Sequence, residues 1–178
     1  FTKSLGETIC ERDPAKAKAR DTRLAEDLRS GRMVTVRQNL IPNLTDGVLD
    51  LENGMPVGPA GRLFPQPAVV DSTGAEALLD DIIGEGFLLV VQQPDILDHL
   101  SGEDLDWFER SGGQIAVVTN TAPSVEGQIT AMNTVLSSVF DTWECSSLLV
   151  RPDKYIFGAA ANARATGALL KRLKPFIS

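Results

Sequence analysis

Two runs in this chain, FLLVVQ at residues 87–92 and QIAVVT at 114–119, are apolar at successive positions rather than at alternate ones. A strand with one wet face alternates; a strand that is apolar at every step has to be covered on both faces. Such runs demand a sheet with helices on either side.

The surrounding sequence supplies those helices. STGAEALLDDIIG, residues 72–84, reads as a helix with Ser72 or Thr73 as cap, apolar residues at 78, 79, 82 and 83, and a stop at Gly84. Residues 95–111 read as a second helix, carrying Leu97, Leu100, Leu105, Trp107 and Phe108, and 125–139 as a further one. PAVV at 67–70 reads as a short leading strand. SSLLVRP and YIFGAA flank PDK, a hairpin signal. NARATGALLKRLKPF reads as a helix whose bases gather near its C-terminal end, where the macrodipole favours them.

The resulting order is βαβαβ(α)ββα, an α/β chain with the element order of the thioredoxin fold. Strands alternating with helices predict right-handed parallel crossovers for the first three strands, with an antiparallel hairpin at the end.

Upstream the pattern changes. Residues 2–11 and 14–30 read as helical, the second opened by Asp13 as N-cap and Pro14 at the first position, and closed at Gly31. Its apolar face is thin (Ala17, Leu24 and Leu28), so it needs another surface to lie against. Residues 38–66 are rich in Gly and Pro, with no sustained period. They read as an ordered connection or small hairpins wrapping the core. Its end, AGRLFPQPAVV, holds Pro65 and Pro67, which fix their own φ and restrict Phe64 and Gln66. The result is a stiff, extended approach suited to an edge strand or a strand start. The expected organisation is a helical segment at 1–37, a connection at 38–66 and a thioredoxin-like domain at 67–178. The first residue is Phe1, not Met, which suggests a piece of a longer protein.

Charge narrows the partners. Residues 1–37 hold 9 Lys/Arg and 6 Asp/Glu, a balance of +3; residues 38–178 hold 8 and 18, a balance of -10. Between Arg62 and Arg110 lie eleven acids and no Lys or Arg. Such a surface repels phosphate backbones, so nucleic acid is not an expected partner. No apolar run reaches the ~18 residues of a membrane helix. Cys10 and Cys145 are the two cysteines, far apart, which is no disulfide framework and suits a reducing cytoplasm.

The search for chemistry returns little. Thioredoxin redox work needs a low-pKa thiolate at a helix N-terminus, after the strand at 87–92; that place reads VVQQPD, without cysteine. The place for a cis-proline, ahead of the hairpin, reads WECSSLL, without proline. Cys145 stands there alone and reads as a small buried residue; a stand-alone redox protein working through Cys145 is the alternative. His99 has no companion His or Cys for a metal and reads as a surface residue among Asp95, Asp98 and Glu103. Gly84 and Gly86 precede a strand, whereas a dinucleotide fingerprint follows one. Asp80–Asp81 and Glu103–Asp104–Asp106 read as polar helix faces. Trp107 and Phe108 are adjacent on a helix, so either one is core and the other an interface anchor, or both pack in the core and its rim. No catalytic, cofactor-binding or metal residue is assigned. A small-molecule module using the groove near VVQQPD is a third reading without a specific motif.

AGRLFPQPAVV, LLDDIIGEGFLLV and LLVRPDKYIFGAA, in that order and spacing, resemble the C-terminal region of FAD-dependent aromatic-ring hydroxylases of the 3-(3-hydroxyphenyl)propionate hydroxylase and phenol hydroxylase type. CERDPAKAKARD resembles the helical segment that leaves the flavoprotein core in that family. The resemblance implies a thioredoxin-like C-terminal domain without redox cysteines, packed on the FAD and substrate domains and contributing to a homodimer. It implies FAD and NAD(P)H for the full-length parent, and none of that family's cofactor motifs matches a position here.

Overall fold

The computed structural model describes residues 6, 8–31, 41–119, 122–132 and 134–177. The chain divides into two compact units, residues 1–42 and 43–178.

In the first unit, helix α1 spans Pro14–Arg29. The carboxylate of Asp13 accepts from the N–H of Ala15 at 2.8 Å and of Lys16 at 3.4 Å, and Pro14 fills the first position, which needs no donor. Gly31 follows the helix at φ +69°, a conformation glycine adopts without strain. No residue of α1 is buried. Half of the helix expected over residues 2–11 lies outside the described residues; of the rest, Gly6, Thr8 and Ile9 are helical.

The second unit is built on a seven-stranded sheet. Its strands are β3 (Ala68–Asp71), β4 (Glu76–Leu78), β5 (Leu88–Val91), β6 (Gln114–Val118), β7 (Gln128–Ala131), β8 (Ser147–Val150) and β9 (Ile156–Ala160). They lie in the order β4-β3-β7-β6-β5-β8-β9. Strands β5, β6 and β7 are mutually parallel, and β8 and β9 run as an antiparallel hairpin beside β5. The segment β6-β5-β8-β9 is thus the thioredoxin core arrangement. Helices are α2 (Leu79–Ile83), α3 (Asp95–Asp98), α4 (Gly102–Arg110), α5 (Val135–Thr142) and α6 (Ala163–Leu173).

The unbroken apolar run of β5 is covered on both sides. Leu88 and Val90 pack with Val69, Ile83, Leu136 and Phe140 on the α2/α5 side. Leu89 and Val91 pack with Ile96, Phe108, Phe157 and Leu169 on the α3/α4/α6 side.

Several expectations are corrected. Strand β3 is antiparallel to both β4 and β7, so the first three strands are not all parallel. The stretch 72–84 is not one helix: Glu76–Leu78 form β4, and only Leu79–Ile83 are helical. The cause is a tight turn. The Asp71 carboxylate accepts from the Thr73 hydroxyl at 2.6 Å and from the N–H groups of Thr73 and Ala75, while Gly74 takes φ +83°. That turn folds 76–78 back onto β3 before the helix starts. Residues 125–139 hold strand β7 before α5, rather than a helix throughout. Residues 95–111 break at Ser101, which is extended at ψ 128°.

The stretch 43–66 packs as part of this unit. It opens with a two-stranded hairpin, β1 (Leu51–Glu52) and β2 (Met55–Pro56), turned by Asn53 and Gly54 at φ 52° and 76°. It then runs along the outer side of β9. Asp50 N–H donates to Phe157 O, Gly61 N–H to Ile156 O, Ile156 N–H to Arg62 O and Phe64 N–H to Lys154 O, all at 2.8–2.9 Å. The strap therefore occupies backbone groups that an edge strand would leave open. Phe64, from the AGRLFPQP stretch, is buried in the α2/α5-side core.

Candidate functional site

At the thioredoxin thiol position, strand β5 ends at Val91 and the chain continues Gln92–Gln93–Pro94 into the four-residue α3. Cys145, two residues before β8, is 7% exposed among Phe64, Leu136 and Phe140, and burial pushes its thiol up to about 11. A thiol held protonated by apolar neighbours is a poor nucleophile, which argues against the Cys145 redox alternative.

The remaining candidates have structural partners. His99 is exposed, and its Nδ1 lies 2.7 Å from the Asp95 carbonyl oxygen. Among the described residues no cluster of His, Cys, Asp or Glu could hold a metal ion. Phe108 is fully buried, while Trp107 is half-buried at the rim with Lys174 Nζ 5.1 Å from its ring centroid. Asp80 pairs with Lys154 at 3.4 Å. Asp104 departs from the polar-face reading. It is 4% exposed and accepts from Lys174 at 2.7 Å, with Lys171 Nζ at 3.7 Å.

The hairpin motif RPDKY serves the strap. Arg151 donates to both carboxylate oxygens of Asp153, at 3.0 and 2.7 Å, and its third nitrogen donates to Val48 O at 2.9 Å. Arg62 lies over the Trp143 ring, 4.8 Å from its centroid.

The cavity best placed for a ligand opens outside the carboxyl ends of the three parallel strands. It measures about 250 Å³ and is lined by Gln92 and Gln93 after β5, Val118 and Thr119 at β6, Thr130 and Ala131 at β7, and Leu136, Ser137 and Phe140 of α5. After β5 the chain crosses to the α3/α4 side, whereas after β7 it crosses to the α5 side. A crevice at such a divergence is where open α/β sheets receive ligands. VVQQPD marked one wall in the sequence; the Thr and Ser residues of the others have no local signature.

Two strand-to-helix turns lack the glycines with which a dinucleotide-binding loop approaches a pyrophosphate. Neither the β5–α3 turn, Gln92–Pro94, nor the β9–α6 turn, Ala161–Asn162, contains glycine. Asn162 spends its side chain on the N–H of Ala165 at 3.0 Å, at the helix start where a pyrophosphate would need to sit.

Sheet order and hairpin define a thioredoxin-fold domain, with Gln92–Gln93–Pro94 at the place of that fold's thiol. A family model described as the HcaD C-terminal domain matches residues 61–174, and the chain belongs to that family. Over 113 residues it is 32% identical to a "Probable NADH-specific resorcinol 4-hydroxylase" of Rhodococcus jostii (strain RHA1), covering 64% of this chain and 21% of that protein. Over 151 residues it is 24% identical to a "3-(3-hydroxy-phenyl)propionate/3-hydroxycinnamic acid hydroxylase" of Comamonas testosteroni, covering 80% of this chain and 25% of that one. The chain thus spans about a fifth to a quarter of the length of these curated relatives. Among solved structures, the flavin-dependent monooxygenase PieE in complex with FAD and substrate aligns with a TM-score of 0.50 at 16% identity, over 97% of this chain and 31% of that one. Among the described residues no helix is long and apolar enough to cross a membrane.

Proposed function

We propose that this chain is the C-terminal structural domain of a cytoplasmic FAD- and NAD(P)H-dependent monooxygenase of phenolic rings, and that it performs no redox step itself. The observation that carries the reading is the family match over residues 61–174, with hydroxylases as relatives. The relatives have roughly four to five times the matched length, room for a flavin and substrate part upstream. Cys145 is buried and its thiol held protonated, which supports a role without thiol chemistry. Residues 1–37 would be the helical segment continuing from the flavoprotein core, 38–66 the connection and 67–178 the domain proper. Its partners would be that core and a second copy of the same protein.

Mixing the purified chain with FAD and separating bound from free flavin tests the first half. Flavin should leave with the free fraction; stoichiometric retention would overturn a non-catalytic role. Light scattering tests the second half: a strict monomer for the full-length protein would remove the homodimer.

A further inference from the structure

We propose that Asn53 is a site of spontaneous covalent modification. Its carboxamide leaves as ammonia through a succinimide closed with the Gly54 amide, and position 53 becomes aspartyl or isoaspartyl. The inference does not rest on the function proposed above.

Four observations single out this residue. The first is sequence. Of the six asparagines, only Asn53 is followed by glycine; the others precede Leu, Thr or Ala, whose side chains crowd the backbone nitrogen that has to attack. The second is access. Glu52, Asn53, Gly54 and Met55 are all exposed, and a Cβ added to Gly54 would meet nothing within 4 Å. The third is freedom. Among the described residues nothing hydrogen-bonds the Asn53 carboxamide, and the Gly54 N–H donates to no backbone carbonyl. The Asn162 carboxamide, by contrast, is held by the Ala165 N–H at 3.0 Å. The fourth is a short surround. Asn53 at φ 52° and Gly54 at φ 76° form the tip of a ladder that pairs Leu51 with Pro56 and Glu52 with Met55. The ring closes when the peptide plane after Asn53 rotates out of the turn. A two-stranded hairpin of this length is marginal by itself, so the excursion is open to it.

The chemistry needs water and hydroxide alone. Hydroxide takes the Gly54 N–H proton. The nitrogen bonds to Cγ of Asn53, the bond from Cγ to its amine breaks, and ammonia leaves with a proton from water. Water then opens the five-membered imide at one of two carbonyls. Opening at Cγ gives aspartate. Opening at the backbone carbonyl gives isoaspartate, with the main chain rerouted through Cβ and Cγ. Nothing is oxidised or reduced. Either product sets a carboxylate beside Glu52, and the isoaspartyl chain, one carbon longer, no longer fits a two-residue turn. The change falls at the head of the strap, close to the Asp50 that Arg172 holds.

The test is incubation of the 178-residue chain at physiological temperature, at neutral and at mildly alkaline pH, with peptide mapping by mass spectrometry over time. The peptide holding Asn53 should gain the mass of an amide-to-acid conversion at least about tenfold faster than those holding Asn43 or Asn162, a barrier lower by about 1.4 kcal/mol. The rate should rise with hydroxide concentration, and an isoaspartyl carboxyl methyltransferase should label the aged chain at position 53. Asn53→Gln, whose ring would be one atom larger and slower to close, should abolish that label. Isomerisation of Asp46–Gly47, the other Asx–Gly pair, adds no mass and leaves the first readout clean. Conversion at Asn53 no faster than at Asn43 and Asn162, a rate indifferent to pH, or a mass gain without the label would overturn the proposal.

Discussion

Arg172 grips Asp50 across 122 residues of sequence. Its Nε donates to Oδ1 at 2.7 Å and its Nη2 to Oδ2 at 2.9 Å, closing a two-point fork on a carboxylate that is 5% exposed. The pair ties the strap to helix α6. Arg172→Ala leaves the carboxylate buried without its cation, a strongly destabilising change when both partners are fully buried. Because the Arg172 side chain is itself half in solvent, the expected loss is smaller, about 2 kcal/mol by urea unfolding. Arg172→Lys keeps the charge without the fork and should lose about half as much.

Gly61 is the tightest point of the strap. A Cβ there would lie 2.0 Å from the Leu44 carbonyl oxygen, and the backbone sits at φ +79°. Both the clash and the left-handed conformation oppose a side chain. Gly61→Ala should destabilise the chain by more than ~2 kcal/mol in urea unfolding.

Asp71 should titrate below the usual carboxylate range, because the Thr73 hydroxyl and then the Ala75 N–H stabilise its charged form. Its folded value is lowered, so its contribution is present above the unfolded value of about 3.9 and is lost as pH falls through the folded one. NMR titration should show this, and Thr73→Ala should move the Asp71 midpoint upward.

Cys145 predicts an effect of opposite sense at alkaline pH. Its thiol ionises at about 11 in the fold against 9.0 ordinarily, so between those values the unfolded chain loses the proton first. Stability should fall as pH rises through that window, by on the order of 2 kcal/mol. The advantage of the wild type over Cys145→Ala should shrink accordingly. Alkylation of Cys145 at neutral pH should be far slower than that of exposed Cys10.

What the sequence made legible was local. The unbroken apolar runs of β5 and β6, the PDK hairpin and the Asp13–Pro14 helix start each follow from a few adjacent residues, and each is found. Glu76–Leu78 escaped because Ala, Glu and Leu favour helix, and the Asp71–Gly74 turn overrides that preference by holding the segment against β3. The direction of β3 escaped because strand sense depends on a partner, β7, nearly sixty residues away. The crevice was half visible: QQPD follows a readable strand, while Thr119, Thr130 and Ser137 become neighbours only through the sheet.

The strap has a consequence for how the chain is made. Its anchors on β9 and α6 are residues 154–157 and 172, synthesised about a hundred residues after Asp50 and Gly61. Until they leave the ribosome the strap has nothing to hold, and the outer side of β9 does not yet exist. Closure of so long a loop should therefore be a late event of folding, with the buried carboxylate of Asp50 still in water until Arg172 arrives.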